Sequence, residues 1–433
     1  AFTVTSSTKH SYPKRGTPPD GALRHGKETT VMNGMALSEN CQSKWKGIRR
    51  GLVLIGALAS VVALVHCGGG GDDGGGGGTS APPPGSATSQ FAYVIASGAS
   101  TIQPNSVDGS GNLTAIGLPI ATGTNPHHVD VDPQGRFVYV ANHDSSFLSG
   151  WRINQDGTLA PMNPGAGSPV TGSDPTENQP HSSVIDRTGQ FLYVVAGTAA
   201  STLRAYRIDT TAGATLGTLT FIAGQSFPVS THAHNITISP NNQFVYVAVE
   251  NATGEVHAFS RDIATGALTP VGVVTGMPLA GGVVVDLASK FVYVCYTNAV
   301  EVFSIGANGA LTRIVPISTF PTNDAGGGAA PHSIAMHPSG TFLYTANLNG
   351  NSVSVFSVDS TTGALAELQT PPVPTGREPN FVLVHPSGGF LYTPDSLDDQ
   401  VSRFTINSNG TLATPPTVTQ AGDGADGIGM TNF

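Results

Sequence analysis

Short stretches of this chain alternate apolar and polar residues, and one stretch keeps returning. Phe-x-Tyr followed by Val or Thr begins at Phe91, Phe137, Phe191, Phe244, Phe291, Phe342 and Phe390, at spacings of 46, 54, 53, 47, 51 and 48 residues. In residues 126–162, Val129 and Val131 alternate with Asp130 and Asp132, the period-two pattern of a strand. Pro133-Gln134-Gly135 reads as a turn. Residues 137–141 are apolar on both faces, as in a strand buried between neighbours. A loop at 143–146 leads to a third strand near 148–153, and Asp156-Gly157 turns the chain into a fourth strand starting at Leu159. That last turn recurs as Gly111-Asn112-Leu113, Gly266-Ala267-Leu268, Gly309-Ala310-Leu311, Gly363-Ala364-Leu365 and Gly410-Thr411-Leu412, and in a longer form from Gly213 to Leu216. Four antiparallel strands per repeat, seven times over, predict an all-β, seven-bladed β-propeller. An open β-solenoid is the alternative, but the two ends complement each other. The Phe91 strand lacks an alternating strand before it, and Asp426 to Asn432 supplies that alternation through Ile428 and Met430. The C-terminal strand is expected to close the ring and remove both exposed edges.

The repeat is also a ruler. Ten residues before each Phe stand His127, His181, His234, Gly281, His332 and Asn380, and the closing strand puts Asp426 in that place. The position is expected to be the first residue of each innermost strand, at the rim of the central channel. Four histidines and one aspartate would then converge from distant parts of the chain. One such histidine reads as structural; four in one register leave a shared site standing beside that reading. The loops after the Phe-x-Tyr strands open on the same face and bring His143, Asp144, Glu250, Asn251, Asn347, Asn349, Asp395, Asp398 and Asp399. His337 and His385 sit five before the Phe, where Asp132, Asp186, Ser239 and Asp286 also sit. Polar side chains there bond the local backbone, so these two read as structural. Arg377-Glu378 either binds an anion at the rim or pairs internally.

Charge narrows the partners. The formal net charge is −9, but residues 1–67 hold nine Lys/Arg against three Asp/Glu. Residues 68–433 hold ten against twenty-five, a charge near −15. Such a surface repels phosphate backbones, which excludes nucleic acid as an expected partner. The cysteines are Cys41, Cys67 and Cys295, and they imply no disulfide framework. Cys295 follows Phe291-Val-Tyr-Val and reads as a buried small hydrophobe.

The N-terminal region carries an address. Lys44, Lys46, Arg49 and Arg50 precede an apolar run from Gly51 to Val65, the pattern of a secretory signal. The run ends Leu64-Val65-His66-Cys67, which resembles the lipobox of bacterial lipoproteins, with Cys67 as the lipidated residue and His66 departing from its small residue. The alternative is a plain signal peptide cut nearby. Residues 35–67 are thus expected to be a signal peptide. Residues 1–34 read as a non-native or untranslated extension, with translation starting at Met32 or Met35. Residues 68–89, GGGGDDGGGGGTSAPPPGSATS, read as a flexible tether, and residues 90–433 as the propeller. By resemblance to lipoprotein sorting rules, Gly68 after the cysteine implies the outer membrane. The expected location is the bacterial cell envelope, periplasm or outer membrane, with membrane contact only through the lipid anchor.

At residues 331–365, PHSIAMHPSGTFLYTANLNGNSVSVFSVDSTTGAL, and 234–259, HNITISPNNQFVYVAVENATGEVHAF, the chain resembles the seven-bladed lactonase family, which includes 6-phosphogluconolactonase and a fungal carboxymuconate cyclase. The resemblance covers residues 90–433. It implies that His234 and Glu250 are the active-site His and Glu, and that His181 is the histidine of the preceding blade. The family's Arg before that His is Ala233 here, its Asp-Leu-Gly is replaced at Ala196-Gly197-Thr198, and the Arg of its Asn-Arg-Gly is missing around Tyr296-Thr297. Those losses, with export, argue against a phosphorylated sugar as substrate.

The expected function is therefore opening of a lactone or related ester outside the cytoplasm. Glu250 or His234 would act as general base, with His127, His181 and His332 stabilising the oxyanion or protonating the leaving oxygen. Asn380, Arg377 and Asp426 complete the expected substrate-binding set. No Gly-x-Ser-x-Gly elbow supports a serine mechanism. The alternative is a non-catalytic propeller that presents its loops to an envelope protein or glycan. No cofactor is expected, although His127, His181, His234 and His332, with Asp426, form a weaker alternative as ligands of a divalent transition metal.

Overall fold

The computed structural model of the chain describes residues 90–163, 170, 179–314, 319–321 and 330–432. The signal-like segment, Cys67, the tether and the 1–34 extension lie outside the described residues.

Seven antiparallel sheets run from an inner strand outward. In the second blade the strands are Pro126–Val131, Phe137–Asn142, Phe147–Ile153 and Leu159–Pro161. The inner strands of neighbouring blades lie against one another around the axis. The seventh blade departs from expectation: its inner strand is only Leu383–Val384, and Pro379 makes an isolated bridge to Asp395. The first blade is completed by Ala425–Met430, which pairs with Gln90–Ala96, Ala92 opposite Met430 and Ile95 opposite Gly427. The ring is closed by the strand that the alternation predicts.

The core lies between blades rather than within any one of them. One cluster joins Phe191, Tyr193 and Val195 of the third blade to Ile236, Ile238, Val245 and Val247 of the fourth. Another joins Ala92, Val94, Ile428 and Met430 of the first blade to Tyr392 and Val401 of the last. The Phe-x-Tyr strand is more than core filler. Its tyrosine hydroxyl donates to the carbonyl of the turn glycine in the next blade: Tyr93 to Gly157, Tyr139 to Gly217, Tyr193 to Gly266, Tyr246 to Gly309, Tyr344 to Gly410, and Tyr392 back to Gly111, at 2.6–3.1 Å. Burial pushes these phenols up, so they remain donors. The phenylalanine explains the glycine. Gly157 has φ +81°, and a Cβ on it would lie 2.3 Å from the Phe91 ring. The two recurring motifs are therefore the two halves of one joint between blades.

A buried ion pair reinforces the third and fourth blades. Arg261 Nη2 lies 2.8 Å from Asp186 Oδ2, with neither side chain exposed. Burial alone would raise the Asp186 carboxyl, but hydrogen bonds from Thr188, Asn242, Phe191 and Gln190 outweigh it and hold the group below its ordinary range. Asp186→Ala strips Arg261 of its carboxylate partner and is expected to cost about 3–5 kcal/mol, read as a lowered urea midpoint. A loss below about 1 kcal/mol would contradict this.

Candidate functional site

Three backbone features aim side chains at the channel. The residue two before each ring position is left-handed: Asn125, Gln179, His232, Leu279, Ala330, Glu378 and Gly424 have φ between 42° and 71°. This conformation is uncommon outside glycine and sharply bends the entering chain. The next feature is a β-bulge. Pro126 and His128 pair with Asn142 and Ala141, which leaves His127 without a partner. The same gap falls at His181, His234, Gly281, His332 and Asp426. The ring position is thus the bulged residue rather than the first residue of its strand, and a bulge re-aims its side chain. Finally, the residue six after the Phe donates its N–H to the carbonyl of the left-handed residue, as in His143 to Asn125 at 2.9 Å and Glu250 to His232 at 2.8 Å. That bond seats His143 beside His127 and Glu250 beside His234.

The histidines form a chain. His127 Nδ1 lies 3.2 Å from His181 Nε2, His181 Nδ1 lies 3.0 Å from the His234 carbonyl, and His234 Nδ1 lies 2.7 Å from the Gly281 carbonyl. His332 Nδ1 lies 3.1 Å from the Asn380 carbonyl. The His234 and His332 rings approach to 4.3 Å across Gly281. A Cβ at Gly281 would stand 2.9 Å from the His332 carbonyl oxygen, so close strand approach requires the glycine. Glu250 Oε2 is 3.7 Å from His234 Nε2.

These partners set the tautomers. A carbonyl only accepts, so Nδ1 of His181, His234 and His332 carries the proton, and in the neutral ring Nε2 carries the lone pair. His181 Nε2 therefore accepts, and His127 donates from Nδ1. Burial, followed by the neighbouring histidines, pushes His127 down to about 3. Burial and His234 push His332 down to about 4, and His181 is also driven well down by burial first. All three are neutral at neutral pH. The His181 lone pair is engaged by His127, while His127 and His332 keep an Nε2 lone pair rather than the N–H donor expected for an oxyanion.

The structure thus brings His127, His181, His234, His332 and Glu250 together. Asn380 joins through its carbonyl, and its Nδ2 donates to Asp426 Oδ1 at 2.6 Å. Asp426 is linked to the histidines through Asn380. Arg377 pairs with Asp398 at 2.6 Å and with the Leu397 carbonyl at 2.8 Å, not with Glu378. His337 and His385 accept from the N–H groups of Ser339 and Ser387, the turn role expected of them. Cys295 is fully buried, and burial pushes its thiol up to about 12. Two residues lie outside the expected catalytic and binding set, His143 having been placed only among the loops on that face. His143 stacks on His127 at 4.7 Å, and its Nδ1 donates to Asp144 at 2.8 Å. His128 faces Asp130 at 3.5 Å and packs edge-on against Phe381. The signal that ties His143 to the site is its place six after its Phe, the same as that of Glu250.

Asp426 gives the site a pH signature. Burial pushes its carboxyl up to about 7, against the hydrogen bond from Asn380 and the nearby His128, which lower it. A folded value above the unfolded one means stability that is present below about pH 4 and lost as pH rises through about 7. Asp426→Asn keeps the acceptor for Asn380 and removes this loss. The difference in Tm, variant minus parent, is expected to climb from pH 4 to 7 and then level off. A pH-independent difference in calorimetry would refute it.

A family model described as "Lactonase, 7-bladed beta-propeller" matches residues 85–373 and 228–426. The chain is 27% identical over 272 residues to the 6-phosphogluconolactonase of Bacillus subtilis, covering 60% of this chain and 73% of that one. It is 27% identical over 274 residues to the 6-phosphogluconolactonase of Pectobacterium carotovorum, covering 60% and 75%. Among solved structures, the periplasmic gluconolactonase of Pseudomonas aeruginosa superposes with a TM-score of 0.62 at 17% identity, covering 79% of this chain and 99% of that one.

Proposed function

The chain belongs to the seven-bladed β-propeller lactonase family, and from that premise we propose that it hydrolyses an unphosphorylated lactone or a related ester outside the cytoplasm. The observation that carries the reading is Glu250 Oε2 standing 3.7 Å from the lone-pair nitrogen of His234. Two acceptors at that spacing hold one water by both its protons, and removal of either proton makes it the nucleophile for ring opening. Glu250 is 32% exposed and His234 11%, so water and substrate reach the pair from the channel.

The charge around the site supports an unphosphorylated substrate. Ala233 is 1% exposed, and its N–H donates to Ser201 Oγ, at the position where the family resemblance implies an arginine. At the rim, Arg377 is paired with Asp398. A phosphate needs such a cation unpaired at the site. Purified protein offered sugar lactones with and without a phosphate is expected to favour the unphosphorylated ones in kcat/KM. A preference for the phosphorylated ones would sink this part of the reading. Export and lipidation of Cys67 belong to the same proposal and rest on the basic and apolar segments at 44–67. Intact mass of the native protein tests them, through a diacylglyceryl group on Cys67.

A further inference from the structure

We propose that His234, Glu250 and His332 form a binding site for one divalent transition-metal ion, zinc by its donor set. One ligand atom from each of the three lies within 4.8 Å of the other two. The pair His234 Nε2 and Glu250 Oε2 is 3.7 Å apart, too long for a hydrogen bond. Ligands held about 2.0–2.2 Å from a shared zinc ion stand roughly 3–4 Å from each other.

The tautomers make the argument independent of that spacing. The Gly281 and Asn380 carbonyls occupy Nδ1–H of His234 and His332. The Nε2 left on His234 faces the Glu250 carboxylate, and with a ligand atom of His332 within 4.8 Å of both, three electron-rich groups share one place. Such a group is repulsive until a cation or a donor enters it. Histidines that ligate metals characteristically donate their other nitrogen to a carbonyl or carboxylate, which fixes the ring and raises its basicity. Both histidines already have that support. Two His and one Glu make up a catalytic-type zinc set with a position left for water.

The ligands differ from the wider set of four histidines and Asp426. His181 Nε2 is already taken by His127, and Asp426 is held by Asn380. Binding of the ion stands without the hydrolytic reading. Only the ion's use rests on that reading: polarising the lactone carbonyl and lowering the pKa of a bound water to about 7. Glu250 would then serve as ligand instead of base, and the positive charge missing from the lone-pair face would come from the ion.

The test strips the full chain with a chelator and titrates it with Zn²⁺ by calorimetry. One equivalent per chain is expected. His332→Ala and the near-isosteric Glu250→Gln should each weaken binding more than about 100-fold, beyond the usual effect of losing a ligand's supporting partner. His127→Ala should retain one equivalent. No stoichiometric binding, or binding unchanged in both ligand variants, overturns the site. A protein that binds zinc but opens no lactone defeats the hydrolytic reading alone. An active protein that binds no zinc defeats this inference alone.

Discussion

A chain lacking residues 425–433 loses its single cooperative melting transition. The closing strand pairs with Gln90–Ala96, and Thr431 exchanges bonds with Phe91 through its N–H and its hydroxyl, both at 2.9 Å. Ile428 and Met430 are 1% and 7% exposed and pack against Tyr392 and Val401 of the seventh blade. Burial of two such side chains is worth about 1.5–3 kcal/mol each. Their removal also leaves the backbone groups of the Phe91 strand unpaired and opens the interface between first and last blades. Against a total stability of about 5–15 kcal/mol, the combined loss is decisive. Ile428→Ala is the companion variant. It creates a cavity costing about 2–5 kcal/mol but keeps the strand, so it should melt cooperatively at a lower temperature. If the truncated chain melts as sharply as the parent, the closing strand does not hold the ring.

Architecture was legible because repetition amplifies weak signals. A single Phe-x-Tyr says little; seven at blade spacing define the strand, and counting from them finds the others. What the repeat was for was not legible. The tyrosine hydroxyl finds its glycine 63 to 78 residues later along the chain, or, for Tyr392, back across the closure of the ring, and no local pattern announces that bond. In the candidate site the ruler found the four histidines and Glu250, because residues in one register recur at one height in the channel. Contacts that depend on side-chain reach escaped it. Arg377 lies next to Glu378 in sequence yet turns to Asp398. Asp426 shares the ring register yet is taken by Asn380. The tautomers escaped as well. They follow from bulges that turn the Nδ1–H of His181, His234 and His332 onto a neighbouring carbonyl and that of His127 onto His181, and alternation alone does not show a bulge.

Glu250→Gln and His234→Ala are expected to lower kcat for lactone opening by about 10²–10⁴-fold, the usual worth of a positioned general base. Gln keeps the shape of Glu250, and the backbone bond from residue 250 to His232 is untouched. Its Tm should therefore stay near that of the parent, which separates a chemical loss from a folding one. The amide still contacts substrate but takes no proton and is a poor metal ligand, so the fall should appear in kcat more than in KM. His234→Ala removes the lone-pair nitrogen and also releases the Gly281 carbonyl. A comparable loss in both variants marks Glu250 and His234 as one unit acting on one water, since groups that work together are not additive. His127→Ala, two histidines away from His234, should lose less, because His127 donates to His181 and is not in the Glu250 pair. Full activity in both Glu250→Gln and His234→Ala would move the chemistry away from this rim. The histidine ring would then be left as scaffolding for a propeller that binds rather than catalyses.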